Sequence, residues 1–242
     1  MSEIIKTILV TGGTRGLGLA TVERLSKAGY RVIAAGRTLT PELKKLTEKN
    51  NVFFEVLDLA NHSDIHDFVN KVTKSHGHLY GLVNNAALGH DGILATMHDS
   101  QIETLVAVNI TGNILITKYA VRSMLLNRSG RIVNISSIIA TTGFNGLSVY
   151  AATKAALNGF TRSLAREVGK AGITVNSVAP GYMKTDMTGD LQGEKLESIK
   201  RRSPMGRLAT VDDAAAAIEW LLGPDASSIT GTTVTVDAGS TA

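Results

Sequence analysis

The chain contains no cysteine. Disulfides, thiol nucleophiles and thiolate metal sites are therefore excluded together, and no metal is expected. Aromatic residues make up 5% of the sequence and prolines number four, so neither a stacking surface for bases nor a proline-rich linker is on offer. Charge of one sign is also scarce. Lysine and arginine number 25 against 21 aspartates and glutamates, a net +4 spread without any polybasic block. Nucleic acid is accordingly not an expected partner. The N-terminus, MSEIIKTILVTGG, has no basic region ahead of its apolar run, and that run is too short for a signal sequence or a membrane span. No membrane association is expected, and the cytoplasm is the expected compartment.

Against these absences stand 242 residues of which 43% are hydrophobic and 19% charged, enough for one sizeable core. Short β-branched runs alternate with longer amphipathic segments along the whole chain. That alternation predicts an α/β fold of the Rossmann type, a doubly wound parallel seven-stranded sheet with helices on both faces. The strands are expected at 7–11, 31–35, 52–57, 82–84, 131–135, 174–178 and 233–236. Helices are expected to begin near Gly16, Pro41, Ser63, Ser100, Ser148 and Val211. No linker, repeat or low-complexity stretch divides the chain, so residues 1–242 read as a single domain. One segment, about 182–207, departs from the alternation with Met183, Met187 and a run of charges, and reads as a lid over a cleft.

The turn TGGTRGLG follows the first strand and opens the first helix, the context in which a glycine pattern signifies a dinucleotide site. Gly12, Gly16 and Gly18 would let the backbone approach a pyrophosphate at the helix N-terminus. Their spacing, Gly-x-x-x-Gly-x-Gly, differs by one residue from the commoner fingerprint. At the end of the second strand no carboxylate is present to accept from an adenosine ribose; Gly36 and Arg37 stand there, with Arg15 inside the glycine turn. Two guanidiniums suit a 2′-phosphate, so NADP(H) is expected rather than NAD. Asp58, closing the third strand, is placed either to accept from the adenine amino group or to cap the next turn. Asn84 and Asn85 end the fourth strand at the edge of the cofactor crevice, where they can also hold a turn.

Tyr150 and Lys154 lie four apart in a segment whose Leu157, Phe160, Leu164 and Val168 recur at helical spacing, so phenol and ammonium share one face. A lysine charge beside a phenol favours the phenolate and pulls the tyrosine toward useful acid strength. Alone, the pair reads as readily as a buried tyrosine and a solvated lysine. Asn109, among Ile102, Leu105, Val106, Ile110 and Ile116, is a polar residue that needs a partner, either the backbone or a water leading toward the lysine. Ser136 and Ser137 end the fifth strand, where a hydroxyl can donate to a substrate oxygen.

Taken together, TGGTRGLG (11–18), NNAA (84–87), Asn109, ISS (135–137), YAATK (150–154) and PGYMKTDM (180–187) make the chain resemble the short-chain dehydrogenase/reductase family over nearly its whole length. Within that family it is similar to the beta-ketoacyl-acyl-carrier-protein reductases, through LAREVGKAGITVNSVAPG and SSITGTTVTVDAG. The resemblance implies a catalytic tetrad of Ser137, Tyr150, Lys154 and Asn109. It implies NADP binding by Gly12, Arg15, Gly16, Leu17, Gly18, Arg37, Asp58, Asn84, Tyr150, Lys154 and Thr185. It further implies a homotetramer packed through the helices at 100–128 and 148–168, whose small residues equally suit contact with the sheet. The expected reaction is NADPH-dependent reduction of a 3-oxoacyl thioester, on an acyl carrier protein or CoA, of the kind used in fatty acid or polyketide synthesis. A related NADP-dependent alcohol or sugar dehydrogenase and a non-catalytic NADPH sensor are the competing readings. Phe144 and Met183 are candidate acyl contacts or core residues, and Lys195, Lys200, Arg201 and Arg202 in the lid are candidate phosphate contacts or a solvated helix face. Three departures from the family pattern stand out. Ala87 replaces the glycine of Asn-Asn-Ala-Gly, Ala238 replaces a glycine of Val-Asp-Gly-Gly, and Ala171 stands where a second carrier-docking arginine would accompany Arg128.

Overall fold

The computed structural model describes residues 5–183 and 194–242, with side chains of the latter part from residue 197. Thr185 and Met187 fall outside the described residues, as does the Lys195 side chain. Seven parallel strands, β1 (Thr7–Thr11), β2 (Arg31–Gly36), β3 (Val52–Val56), β4 (Leu79–Asn84), β5 (Gly130–Ile135), β6 (Ile173–Pro180) and β7 (Thr233–Val236), lie in the order β3-β2-β1-β4-β5-β6-β7. The strand order reverses between β1 and β4, the place where an open parallel sheet leaves a crevice at its carboxyl edge.

Alternate residues of each strand feed two cores, as the two-residue period of a pleated strand requires. On one face Leu9, Ile33, Leu82, Ile132 and Val175 pack with residues of α3 (Ile65–His76), α5 (Asn113–Asn127) and α7 (Ser148–Val168). On the other, Ile8, Val10, Val32, Val83, Val133 and Val178 meet α1 (Gly16–Lys27), α2 (Pro41–Thr47) and α9 (Val211–Leu222). Burial of this kind contributes about 25 cal/mol per Å² of apolar surface and dominates the fold. Local signals agree with it. Thr40 caps α2 ahead of Pro41, and Thr210 with Asp213 forms a capping box on α9.

Strand β4 starts three residues earlier than its apolar run suggests, because Gly81 lies inside it; a side chain there would sit 2.9 Å from Ile8. The expected helix from Ser100 begins at Asp99 and is not uniform. The helix α4 (Asp99–Val106) passes through a π-helical segment, Ala107–Gly112, before α5. By length and composition this run, Asp99–Asn127, is apolar enough to cross a membrane; here Leu105, Val108, Ile116, Ala120 and Met124 are spent on the core between sheet and helices. One short helix, α6 (Ile139–Thr142), was not legible beforehand, while α8 (Glu194–Arg202) falls within the lid segment, where helical turns were expected.

Candidate active site

The glycine turn sits at the reversal point of the sheet. Gly12 takes φ +63°, and a side chain there would lie 2.9 Å from Ala86; at Gly18 a side-chain carbon would collide with the carbonyl of Gly12. Only glycine permits this close turn at both positions. Leu17 turns into the core, so this part of the first turn of α1 presents backbone rather than side chain, and no acidic residue lies in it. The N-terminus of α1 thus suits an anion. Thr40 donates to the Thr14 carbonyl at 2.8 Å, and Gly36 leaves room for the Thr14 methyl. These contacts hold the end of β2 against the glycine turn and bring the exposed Arg15 and Arg37 to one edge. Glycines, helix N-terminus and paired arginines fit a dinucleotide bearing an extra phosphate.

The two adjacent asparagines divide their work. Asn85 donates to the carbonyls of Thr11 and Gly12, both at 3.0 Å, and so braces the turn. Asn84, expected at the cofactor, is instead inside the sheet at 1% exposure. Its Nδ2 donates to Thr117 Oγ1 and to Asn134 Oδ1, each at 2.7 Å. Asn134 donates in turn to Thr161, which bonds Ser177. Asn84, Asn134 and Ser177 are neighbours in the strand register. The side chain of Asn84 therefore belongs to a buried polar ladder, because strand alternation turns it toward α5 and α7. Asp58 accepts from the Ala60 backbone N–H at 3.0 Å and so caps the turn, the second of its two expected roles.

At the end of β5 the serines also separate. Ser136 donates to the Lys154 carbonyl and ties strand to helix, while Ser137 Oγ accepts from the Ile139 N–H at 3.3 Å and lies near enough to the Tyr150 hydroxyl to lower its pKa. Lys154 is 3% exposed, and its ammonium donates to the Ile135 carbonyl at 2.8 Å. Burial brings its pKa down to about 8, and burial pushes the Tyr150 phenol up to about 12, opposed by the nearby Ser137 hydroxyl and aided by the Asp91 charge. The expected acidification of the tyrosine by the lysine is absent from this geometry. The ammonium lies 5.6 Å from the ring centroid and is turned to the strand carbonyl, so desolvation governs the phenol instead.

Asn109 lies within the π segment at zero exposure. Its Oδ1 accepts from the Leu88 N–H at 2.8 Å, and its Nδ2 donates to the Leu88 carbonyl and to Thr153 Oγ1. Thr153 donates to the Tyr150 carbonyl. The expected backbone partner is thus found at Leu88, together with the Thr153 hydroxyl. Phe144, 54% exposed, meets Tyr182 with ring centroids 6.2 Å apart, whereas Met183 packs against the core. Asp91 and Tyr182 were not singled out in the sequence; burial raises the pKa of Tyr150 and Tyr182, and the Asp91 charge adds to both shifts. No spacing links positions 91, 150 and 182; only the fold does.

Arg128 ends α5 in the left-handed region, φ 48°, and donates to the Lys170 carbonyl at 3.1 Å. Ala171 packs partly buried against the core. In α8, Lys200 pairs with Glu197 and Arg202 donates to Ser198. Among the described residues no group of three His, Cys, Asp or Glu is placed to hold a metal.

Comparison with known proteins agrees with this geometry. The model of a family described as enoyl-(acyl carrier protein) reductase matches residues 12–241. The 3-oxoacyl-[acyl-carrier-protein] reductase FabG of Rickettsia felis is 38% identical over 97% of this chain and 96% of its own length. Among solved structures, ElxO with NADP bound superposes with a TM-score of 0.89 at 32% identity, over 98% of this chain and 99% of that one. A single-substitution variant of the actinorhodin polyketide ketoreductase, with NADPH, gives a TM-score of 0.91 at 32% identity, over 97% of each chain.

Proposed function

We propose, from the fact that the chain belongs to the short-chain dehydrogenase/reductase family, that it is an oxidoreductase reducing a 3-oxoacyl thioester to the 3-hydroxyacyl thioester with NADPH. The observation that carries this reading is the approach of Ser137, just beyond β5, to Tyr150 and the buried Lys154 of α7, in a fold whose glycine turn carries Arg15 with Arg37 at the end of β2. NADPH, when bound, supplies the hydride. Every other task falls to the chain. Ser137 and Tyr150 together present two hydroxyl donors to one carbonyl oxygen. A phenol at about 12 keeps its proton through the physiological range and releases it when an alkoxide, a far stronger base, develops beside it. Lys154, at about 8, is mostly charged at neutral pH and, through its bond to the Ile135 carbonyl, ties the helix of Tyr150 to the end of β5. Asn109 fixes the loop after β4 and the helix of Tyr150, so the donors are held on rigid elements.

Relatives named for acyl-carrier substrates support a thioester. The carrier surface is reduced here to Arg128, whose guanidinium is engaged with backbone while Ala171 is packed inward. A homotetramer is supported by α7, which turns Thr153, Leu157 and Thr161 to the sheet and leaves Ala152, Ala155 and Gly159 outward, and by the exposed Val106, Ile114 and Leu126 of the neighbouring helical run. A reaction drawing on NADPH suits the cytoplasm, where that cofactor is kept reduced.

The test is NADPH oxidation with acetoacetyl thioesters of CoA and of an acyl carrier protein, beside a 2-enoyl thioester and simple ketones and sugars. Thioester ketones are expected to lead by kcat/KM. Tyr150→Phe is expected to lower kcat by ~10²–10⁴-fold with NADPH binding intact; full activity in that variant overturns the mechanism.

A further inference from the structure

We propose that His62 is a positioning residue for this reaction, fastening the loop after β3 to the π-helical segment that carries Asn109. The inference rests on the reductase reading above. A π turn widens the helix by one residue and loosens its internal hydrogen bonds, so its carbonyls are open to donors from outside. In this chain several such carbonyls have found side-chain donors. His62 Nε2 lies 3.0 Å from the Ala107 carbonyl and donates to it. Asn113 Nδ2 reaches the carbonyls of Val108 and Asn109 at 3.2 and 3.0 Å. Asn113 belongs to the helix itself. His62, 45 positions away along the chain, ties the segment to the loop after β3.

A second contact runs beside the first. At Gly112, the last residue of the π segment, a side-chain carbon would stand 2.7 Å from the Leu59 carbonyl, so the glycine lets the loop lie directly on the helix. From there the connection is continuous. The π segment holds Asn109; Asn109 grips both backbone groups of Leu88 and donates to Thr153; Thr153 donates to the carbonyl of Tyr150. The loop that begins at Asp58 is thus linked by named hydrogen bonds to the helix turn bearing the proton donor. Loss of the His62 bond frees one end of the π segment and lets Asn109 drift, and misplacement of this order lowers turnover without touching substrate contacts.

Steady-state kinetics and backbone hydrogen exchange on the full-length protein test this together. His62→Ala is expected to lower kcat about tenfold with the thioester KM within about twofold, and to speed exchange at 107–113 and 86–89. His62→Gln, which keeps an N–H donor, is expected to recover most of both. Because both residues act along one path, His62→Ala and Thr153→Val together are expected to cost less than the product of their separate losses. Multiplicative losses, equal behaviour of Ala and Gln, or unchanged exchange overturn the proposal. Exchange needs no turnover, so a wild-type protein that reduces no ketone defeats the functional reading while the tether is still decided by that measurement.

Discussion

Lys154 gives its ammonium to the carbonyl of Ile135 at 2.8 Å and not to Tyr150, one helical turn before it, whose ring centroid lies 5.6 Å away. The pair that looks in sequence like an acid and its activator is therefore a buried ammonium turned to the last carbonyl of β5 and a half-buried phenol near Ser137. Their titrations follow from burial.

For Lys154 the folded pKa, about 8, lies below its ordinary 10.5. Between those values the unfolded chain holds more protons, so stability rises with pH across the window; below pH 8 the cost of burying the charge is fully present. Tyr150 acts oppositely, since a phenol raised to about 12 favours the folded state until pH climbs from 10 toward 12, where that preference is lost. Comparison of wild type with Lys154→Met by thermal melting is expected to show the wild type gaining on the variant from pH 8 to 10. A constant difference would mean that the lysine does not titrate there.

Arg37 lies exposed at the end of β2 where no carboxylate stands. Replacement by alanine is expected to weaken NADPH binding by ~10–100-fold, the worth of a charge-assisted hydrogen bond, while leaving NADH nearly unchanged. Fluorescence titration with both cofactors measures it. Equal weakening for both would move the phosphate site elsewhere.

Two alanines stand where the family pattern has glycine, and they are expected to respond oppositely to restoration. Ala238 sits at φ +56°, a strained conformation for any residue with a side chain. Ala87 has no positive φ. Ala238→Gly should therefore raise stability by up to about 1 kcal/mol, while Ala87→Gly should lower it by about 0.5–1 kcal/mol through backbone entropy. Urea denaturation of the single variants distinguishes the signs. The surroundings of Ala238 explain how its strain is held. The Asp237 carboxylate accepts from Gly239, Ser240 and Thr241, and Ser203 donates to the Ala238 carbonyl.

Most of the fold was legible because strand and helix periods are written in the apolar residues; β1 and β7 and the starts of α1, α2, α7 and α9 fall at the positions expected. The start of β4 was hidden by Gly81, whose reason is Ile8 across the sheet. At the site, motif residues converge as expected, but what each side chain faces was not legible. Asn84 and Asn85 are adjacent in sequence and point to different sides of a strand end, and Ser136 and Ser137 divide in the same way. The π segment, AVNITG, combines β-branched residues, an asparagine and a glycine, a weak helix composition that does not by itself specify a widened turn; the widening is visible only in the hydrogen bonds.

The ladder from Thr117 through Asn84, Asn134 and Thr161 to Ser177 has a consequence for how the chain finds its pairing. A parallel strand displaced by two residues keeps every side chain on its proper face, so the apolar pattern alone does not forbid the error. Such a slip would set Asn84 opposite Ile132 or Ser136, and Asn134 opposite Val175 or Ala179. Buried amides would then lose their partners at about 1–3 kcal/mol apiece. The asparagines thus act as a proofreading mark in the middle of the sheet, rejecting the one misalignment that hydrophobicity would accept.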